Sequence, residues 1–318
     1  MSAFLIIGDG LPAKAAISAV TSVDPRPKLA LLSPDPDRSG TAAFARQHGL
    51  EVRCAQFVRE LSAVDWITAQ QFDWLVSANN LMIVPARVLQ LFPGRAVNCH
   101  PGILPEYAGV HVHQWAIRNG ERTFGVTLHQ MEPTIDAGAV LAERRFPIEP
   151  GDTGLSLFAK CMRESAQLAG AFIAAVLRGE NCTGQPQSLE RRRVYRAASA
   201  MDGQIDWSWP ATRVIDFIRA GNYEPLASPT YTARIECSHG EPIEILRAVP
   251  AGTTTAPPGN LLEISPRGPG IACGDGRTIC ITRARRNGRI IKASEWPLLA
   301  AELWPQPGVS LVRAAPLP

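Results

Sequence analysis

Short apolar runs alternate with segments of helical periodicity over the N-terminal half of the chain. Runs typical of buried strands lie at 3–7, 28–32, 51–53, 73–77 and 96–98. Helical spacing of apolar residues predicts helices at 12–22, 41–48, 57–63, 85–92, 110–119 and 153–178. Alternation of apolar and polar residues favours two further strands, at 124–129 and 139–143. Strands that alternate with helices indicate an α/β fold with a doubly wound, mostly parallel, Rossmann-like sheet.

The pattern changes after Gly179, where a polar stretch is typical of a linker. A short amphipathic helix is predicted at 210–220. β-rich segments between Pro and Gly residues then lie at 231–237, 243–248, 259–264, 270–273 and 278–283. Short strands with regular turn signals are typical of a small β-barrel, here an OB-like one. We therefore predict an α/β domain at 1–183, a linker at 184–205 and a C-terminal barrel domain at 206–318.

Composition and charge indicate a soluble cytoplasmic protein. The chain is 46% hydrophobic and 19% charged, and its net charge of +3 neither requires nor excludes an anionic partner. No apolar run reaches the roughly 18–20 residues that a membrane span needs, so no membrane partner is expected. The N-terminus has the pattern of a first strand and not of a signal peptide. The 7 cysteines are scattered without a C-x-x-C pair, so neither structural zinc nor a disulfide framework is expected.

Two polar side chains, Asn98 and His100, end the apolar run that begins at 96. They are two residues apart, so on an extended backbone both point to one face, whereas Cys99 points to the other. Pro and Gly residues then keep the following segment out of regular structure. Open α/β sheets bind ligands at such strand ends. Asp136, in the turn between the two later strands, is the third candidate, and we expect these three side chains to meet.

Three other kinds of site fit the residues less well. The turn at 8–10 resembles a dinucleotide-binding fingerprint only loosely, because Pro12 falls within its spacing. A metal site could draw on further histidines, but their spacing matches no metal motif; these are His111, His113 and His129. A covalent mechanism would need a positioned nucleophile, and Cys99 faces away from His100.

Asn, His and Asp without a nucleophile suit the direct attack of a substrate amine on a carbonyl. A side-chain amide and a protonated imidazole both donate hydrogen bonds to a developing oxyanion. A carboxylate beside the imidazole orients it, raises its pKa and helps to move the proton of the amine. The residue types therefore indicate acyl transfer from a noncovalently bound donor.

These segments resemble the 10-formyltetrahydrofolate-dependent formyltransferase family. The similar motifs follow in order along the chain: Asn98-Cys-His100-Pro-Gly-Ile-Leu-Pro105 with Tyr107 and Gly109, Gln114-Trp-Ala-Ile, Asn119-Gly-Glu, Gly125-Val-Thr and Ile135-Asp136-Ala-Gly138. The resemblance covers residues 1–180 and extends more faintly into the C-terminal part. There, Asp206-Trp-Ser and Pro257-Pro-Gly-Asn-Leu-Leu are similar to the small barrel of the methionyl-tRNA enzymes.

The resemblance implies an enzyme that uses 10-formyltetrahydrofolate as its donor. It assigns catalysis to Asn98, His100 and Asp136. It implies that the pterin of the folate lies against one loop and that a second loop forms the other wall; these residues are Asn80, Leu81, Met82, Ile83 and Val84, then Glu132, Thr134, Ile135 and Gly138. It also implies a substrate loop formed by Gly102, Leu104, Pro105, Tyr107 and Gly109. Gly102 departs from the family pattern, because many members have Ser there.

The acceptor is expected to be a small or carrier-bound primary amine and not tRNA. Methionyl-tRNA formyltransferases usually carry a basic insertion after the second strand, whereas residues 33–40 are short and acidic here. The triple arginine at 191–193 is more typical of a solvated charge run than of a nucleic-acid contact. Segments at 125–131, 152–161 and 219–229 resemble formylation domains of natural-product assembly lines. This favours an amino acid or aminoacyl thioester of specialised metabolism as the acceptor.

Several alternatives stay open at this point. The chain could be a methionyl-tRNA or aminosugar formyltransferase within the same family. It could also hydrolyse the formyl folate to formate. From other classes, an NAD(P)-dependent oxidoreductase would use the glycine turn at 8–10, and a noncatalytic binding module would retain the cleft without turnover.

Overall fold

A computed structural model describes residues 2–196, 203–237 and 241–303, which form two compact units. The first unit contains the described residues up to His113, together with Thr123–Pro147 and Phe158–Tyr195. The second contains Gln114–Arg122, Ile148–Leu157 and the described residues from Arg196 onward. The domain boundaries after 183 and 205 stay a prediction, and parts of the expected linker and barrel lie outside the described residues, namely 197–202, 238–240 and 304–318.

The first unit is built on a seven-stranded sheet of order β3-β2-β1-β4-β5-β7-β8. The strands of the sheet are β1 (Phe4–Gly8), β2 (Leu29–Ser33), β3 (Glu51–Cys54), β4 (Trp74–Ala78), β5 (Ala96–His100), β7 (Thr123–Gln130) and β8 (Val140–Pro147). Two short strands, β6 (Ala108–Gly109) and β9 (Val194–Tyr195), form a separate pair. Strands β1 to β5 pair in parallel, and β7 and β8 add in antiparallel fashion. The predicted Rossmann-like sheet is therefore confirmed.

Burial explains why the central strands were visible in the sequence. Every residue of β1 and β2 is buried, because the sheet is covered on both faces. The helices of the chain are α1 (Gly10–Thr21), α2 (Gly40–Gln47), α3 (Ser62–Gln70), α4 (Ala86–Leu89), α5 (Val112–Arg118), α6 (Gly154–Leu177), α7 (Ala211–Gly221) and α8 (Trp296–Leu303). Leu5 and Ile7 of β1 share a core with Ile67 of α3 and Val88 of α4.

One helix of the first unit differs from the prediction. The expected helix at 57–63 covers only the end of a 3-10 helix, Ala55–Arg59, and the first two residues of α3, whose remaining residues to Gln70 were not predicted. Glu60 interrupts the two, because its backbone is extended. The apolar spacing of the two pieces is continuous enough to resemble one short helix in the sequence.

The second unit contains an antiparallel sheet whose strand order is β10-β11-β14-β13-β12, with β15 paired to β14. The strands are β10 (Arg234–Ile235), β11 (Ile243–Thr253), β12 (Leu261–Ser265), β13 (Gly268–Ala272), β14 (Arg277–Arg286) and β15 (Arg289–Ile290). Phe217 of α7 joins the buried core of this sheet. The predicted β-rich C-terminal domain is confirmed as a sheet of antiparallel strands, and the OB-like barrel stays a prediction.

Helix α8 was not predicted, although its buried positions have helical spacing. Trp296, Ala300 and Leu303 are buried in the core of the second unit. Pro297 lies in the first turn, where its missing N–H has no helical partner to lose. Among the described helices, none combines the length and the apolar character needed to cross a membrane.

Candidate active site

The carboxyl end of β5 carries the two polar residues that the sequence singled out. Asn98 and His100 lie on β5, where Asn98 pairs in register with Ser77 of β4 and with His129 of β7. His100 is 3% exposed, and Cys99 between them is buried in the core. The loop after β4 leaves the sheet at the carboxyl end of β5, because β4 and β5 are parallel. β7 runs antiparallel to β5, so the loop that follows β7 begins beside Ala96 and has to fold back to reach His100.

Asp136 brings a carboxylate to these side chains from the loop between β7 and β8. Its Oδ2 lies 3.7 Å from Nδ1 of His100, and its Oδ1 lies 3.4 Å from Nε2 of His129. The backbone N–H of Gly109 donates to Oδ2 at 2.8 Å. Asn98 contacts this group through His129, because Nδ2 of Asn98 lies 3.2 Å from Nε2 of His129. The structure thus gathers the three predicted residues around a fourth, His129.

Burial and charge act in opposite directions on these groups. Burial raises the pKa of Asp136, but the neighbouring imidazoles and the N–H of Gly109 outweigh it and hold that pKa well below its usual range. Burial lowers the pKa of His100, and the opposing effect of Asp136 only partly offsets it. The site therefore holds an ionised carboxylate beside the His100 imidazole, whose protonated form burial disfavours.

Backbone carbonyls fix which imidazole nitrogens face Asp136. Nε2 of His100 lies 2.6 Å from the carbonyl oxygen of Tyr107, and Nδ1 of His129 lies 2.7 Å from that of Gln130. A carbonyl oxygen only accepts, so each of these nitrogens carries a proton. The other nitrogens, Nδ1 of His100 and Nε2 of His129, face the carboxylate. A further proton on Nδ1 of His100 would face the carboxylate, whose charge raises the pKa of that imidazole.

The predicted substrate loop is tied to the sheet beside His100. The hydroxyl of Thr127, which is opposite His100 in the β5–β7 pair, donates to the carbonyl of Gly102 at 2.7 Å and accepts from the N–H of Leu104 at 3.3 Å. A Cβ on Gly102 would lie 2.7 Å from both Nε2 of His100 and the carbonyl oxygen of Tyr107. Gly102, the departure from the family pattern, therefore leaves room for the hydrogen bond between those two groups.

The remaining substrate-loop residues lie close to this hydrogen bond. Leu104 and Tyr107 are buried, and the carbonyl of Pro105 accepts from the N–H of Arg193 at 3.3 Å. Gly109 has a φ of +99° and approaches the backbone of Tyr195. The loop is thus bound on one side by Thr127 of β7 and on the other by the backbone of Arg193 and Tyr195.

The predicted folate-contacting loops combine a fixed backbone with exposed apolar side chains. The amide of Asn80 donates to the carbonyl of Met82 and accepts from its N–H, at 2.9 and 3.0 Å. Leu81 and Ile83 are 83% and 63% exposed, and Ile135 on the other loop is 47% exposed. Val84 is buried beneath the first loop, whereas Glu132 and Thr134 are exposed and Gly138 is buried in the second. Both loops thus expose apolar side chains, and their contact with the pterin stays a prediction.

Sequence reasoning missed His129 as a member of this group and treated it only with the possible metal ligands. Its place opposite Asn98 follows from the β5–β7 register, which no local pattern specifies. His113 is buried against Phe158 instead, and burial lowers its pKa to about 3. Within the described ranges, no group of three or more His, Cys, Asp or Glu side chains is arranged to hold a metal ion.

The chain belongs to the formyl transferase family. A family model described as formyl transferase matches residues 3–171, and one described as the formyl transferase C-terminal domain matches residues 198–297. A methionyl-tRNA formyltransferase of Anaeromyxobacter dehalogenans (strain 2CP-C) is 31% identical over 193 residues, which are 59% of this chain and 58% of that protein. This chain therefore matches less than two thirds of the length of that relative.

Two solved structures share the fold. The N-formyltransferase from Helicobacter canadensis, in complex with folinic acid and dTDP-3-aminofucose, has a TM-score of 0.69 at 19% identity and covers 89% of this chain and 99% of its own. WlaRD, a sugar 3N-formyl transferase in the presence of dTDP and 5-N-formyl-THF, has a TM-score of 0.68 at 17% identity, with coverage of 91% and 99%. At these identities the comparison shows the common fold.

Gly109 offers a test of how tightly the loop is built. A Cβ there would lie 2.1 Å from the carbonyl oxygen of Tyr195, and the positive φ adds strain. Gly109→Ala is therefore expected to lower the free energy of unfolding by at least about 2 kcal/mol, measured by urea denaturation. Gly170→Ala, in the middle of α6 with no atom within 4 Å of the added carbon, is the control. It should instead stabilise by up to about 1 kcal/mol. Equal effects at the two glycines would contradict the close approach.

Proposed function

We propose that this protein is an N-formyltransferase that moves the formyl group of 10-formyltetrahydrofolate to a primary amine. The observation that carries the proposal is the contact of Asp136 with His100 and His129 beside Asn98, at the carboxyl end of β5. Membership of the formyl transferase family supports it. The folate compounds bound by the Helicobacter canadensis enzyme and by WlaRD support the donor.

In the proposed reaction, each residue acts at a defined atom. The amine nitrogen attacks the formyl carbon, and Asn98 and His100 stabilise the resulting oxyanion by donating N–H groups to it. His100 donates through Nδ1, because its Nε2 is engaged by the carbonyl of Tyr107. The negative charge of Asp136 stabilises the imidazolium of His100, and the proton lost by the amine is relayed, directly or through Asp136 or water, towards N10 of the folate. As the bond between the formyl carbon and N10 of the folate breaks, N10 takes up a proton, so the products are a formamide and tetrahydrofolate.

The acceptor that we propose is an amino acid or a carrier-bound aminoacyl group of specialised metabolism. Similarity of three segments to formylation domains favours it, as described above. The short loop at 33–40 is folded on itself, since Asp35 accepts from the N–H of Arg38 at 3.1 Å and the carbonyl of Pro36 accepts from Arg46 at 2.7 Å. Such a loop has little free positive charge for phosphates.

Three arginines of β14 in the second unit are engaged by carboxylates of the same unit. Arg283 pairs with Glu224 at 2.7 Å, Arg285 with Glu244 at 2.5 Å and Arg286 with Glu302 at 2.7 Å. A nucleic acid would have to compete with these carboxylates for the guanidinium groups, and its affinity would fall accordingly. This pairing supports a small or carrier-bound acceptor over tRNA.

A formyl-transfer screen tests the proposal. The full chain is incubated with 10-formyltetrahydrofolate and, separately, with free amino acids, aminoacyl carrier proteins, an aminosugar nucleotide or methionyl-tRNA. Tetrahydrofolate is quantified, and the acceptor mass is measured for a gain of one formyl group. We expect formylation of an amino acid or an aminoacyl carrier, and its loss in the Asp136→Asn variant.

Other outcomes of the screen identify the alternatives. Formylation of only methionyl-tRNA or the aminosugar nucleotide would overturn the acceptor and keep the reaction. Formate release that is equally fast without any amine would indicate a hydrolase. Consumption of NAD(P)H with no folate turnover would overturn the formyltransferase proposal as a whole, as would folate binding without turnover of any acceptor.

A further inference from the structure

The segment that follows α6, residues 184–195, contacts both loops beside His100. We call this segment the strap. Near its start, the backbone of Gln185 exchanges two hydrogen bonds with Val140, the first residue of β8, at 2.8 and 2.7 Å. At its end, β9 pairs in parallel with β6, which closes the loop after His100. The sequence predicted this stretch as part of a linker, yet it is ordered against the loops on either side of the site.

Two side chains of the strap hold the backbone around Asp136. Nε2 of Gln187 donates to the carbonyl of Asp136 at 3.0 Å and to that of Gly138 at 2.6 Å. A terminal nitrogen of Arg192 donates to the carbonyl of Ile135 at 2.6 Å. Asp136 itself has a φ of +53°, a conformation that non-glycine residues adopt only when their surroundings support it. Gln187 and Arg192 supply such support on both sides of it.

The C-terminal end of the strap contacts Tyr107 and Ala108, next to the carbonyl that binds the His100 imidazole. The ring of Tyr195 stacks on that of Tyr107, with centroids 5.4 Å apart and planes 9° apart. The N–H of Ala108 donates to the carbonyl of Arg193 at 3.0 Å. Because the carbonyl of Tyr107 accepts from Nε2 of His100, the strap contacts the supports of both His100 and Asp136.

We propose that Gln187 and Arg192 are positioning residues for the formyl transfer, which set the place of the Asp136 carboxylate relative to His100. The inference rests on the proposed function of Asp136. Loss of either side chain frees carbonyls of the Asp136 loop and lets the carboxylate move away from Nδ1 of His100. A displacement of about 1 Å at a reacting group can lower a rate by about a hundredfold.

The chain supplies matched controls for both side chains. Gln185 lies two residues before Gln187, and its side chain is exposed. Arg191 is next to Arg192, its side chain is 81% exposed, and its guanidinium reaches only a carboxylate oxygen of Glu106 at 4.0 Å. We expect Gln187→Ala and Arg192→Ala to lower kcat about ten- to a hundredfold with KM for the folate changed by less than about threefold. Gln185→Ala and Arg191→Ala should be within about twofold of the unaltered protein, and Arg192→Lys should regain most of the rate.

A double-substitution cycle separates positioning from a general effect on folding. If Gln187 acts through the carboxylate, Gln187→Ala should have no further effect on kcat in the Asp136→Asn background. Equal falls in both backgrounds, or falls that match the loss of folded protein on thermal unfolding, would overturn the inference. Full activity of Asp136→Asn would instead overturn the proposed role of Asp136.

An NMR titration of His100 gives a readout that needs no acceptor. The titratable groups that act on this imidazole are Asp136, which raises its pKa, and His129, which lowers it. A displaced carboxylate should therefore lower the pKa of His100 in Gln187→Ala, in the same direction as in Asp136→Asn. An unchanged pKa in Gln187→Ala, with a lowered one in Asp136→Asn, would show that the strap does not position the carboxylate.

Discussion

Asp136→Asn is expected to lower the rate of formyl transfer by about a hundredfold to ten-thousandfold, which is the usual contribution of a positioned acid–base group. The asparagine can still accept from the N–H of Gly109, so the loop should keep its shape. It carries no negative charge, however, and cannot stabilise an imidazolium on His100 or His129. The measurement is kcat with saturating folate donor and acceptor, with circular dichroism to verify folding.

The same substitution has a defined effect on the pH profile. Asp136 raises the pKa of His100 against the lowering effect of burial, so its removal lowers that pKa further. Whichever protonation state of His100 is active, the limb of the profile that reports this residue should move to lower pH. Asp37→Asn, on the exposed loop after β2, is the control and should change neither rate nor profile. An Asp136→Asn variant with normal turnover would remove the carboxylate from the mechanism.

His100→Ala and Asn98→Ala should each lower turnover about a hundredfold or more. Each removes one of the proposed donors to the oxyanion, and the loss of such a donor raises the barrier by about 2.7–4 kcal/mol. Asn98 also donates to Nε2 of His129, so its removal frees that imidazole from one partner. The measurement is kcat and KM for each variant under the same conditions.

A histidine elsewhere in the first unit provides the comparison for these alanine variants. His48 ends α2 and its Nδ1 contacts the carbonyl of Phe44, so His48→Ala removes an imidazole without touching the site. It should retain at least about half of the activity. Turnover within about threefold of the unaltered protein in either His100→Ala or Asn98→Ala would be incompatible with oxyanion stabilisation by that residue.

Local burial patterns are the reason that the sheet could be predicted. The residues of β1 and β2 are buried without exception, and that continuous apolar character is visible in the sequence itself. Helix α6 was likewise visible from its periodicity. The separation of the 3-10 helix from α3 was not, because the backbone of one residue, Glu60, decides it.

The chemistry of the site was only partly visible in the same way. Asn98 and His100 are two residues apart on one strand, so their common face follows from local geometry. Asp136 required a contact between a strand and a distant loop; its place in the turn between two predicted strands made it a candidate, and the family motif then supported it. His129 has no such motif, and only the register of β5 with β7 puts it opposite Asn98.

The strap shows most clearly what tertiary structure adds. Gln187 and Arg192 reach the loop of Asp136 across 51 and 57 residues of sequence, from a stretch whose polar composition is typical of a linker. The sequence by itself determined the Rossmann-like sheet and the β-rich C-terminal domain, because burial periodicity and strand alternation are local properties. It also supplied the residue types that suit acyl transfer to an amine. Tertiary structure decided the partners of the Asp136 carboxylate, the imidazole nitrogens that face it and the side chains that hold its loop. These depend on strand register and on contacts between distant segments, which form only when the whole unit folds.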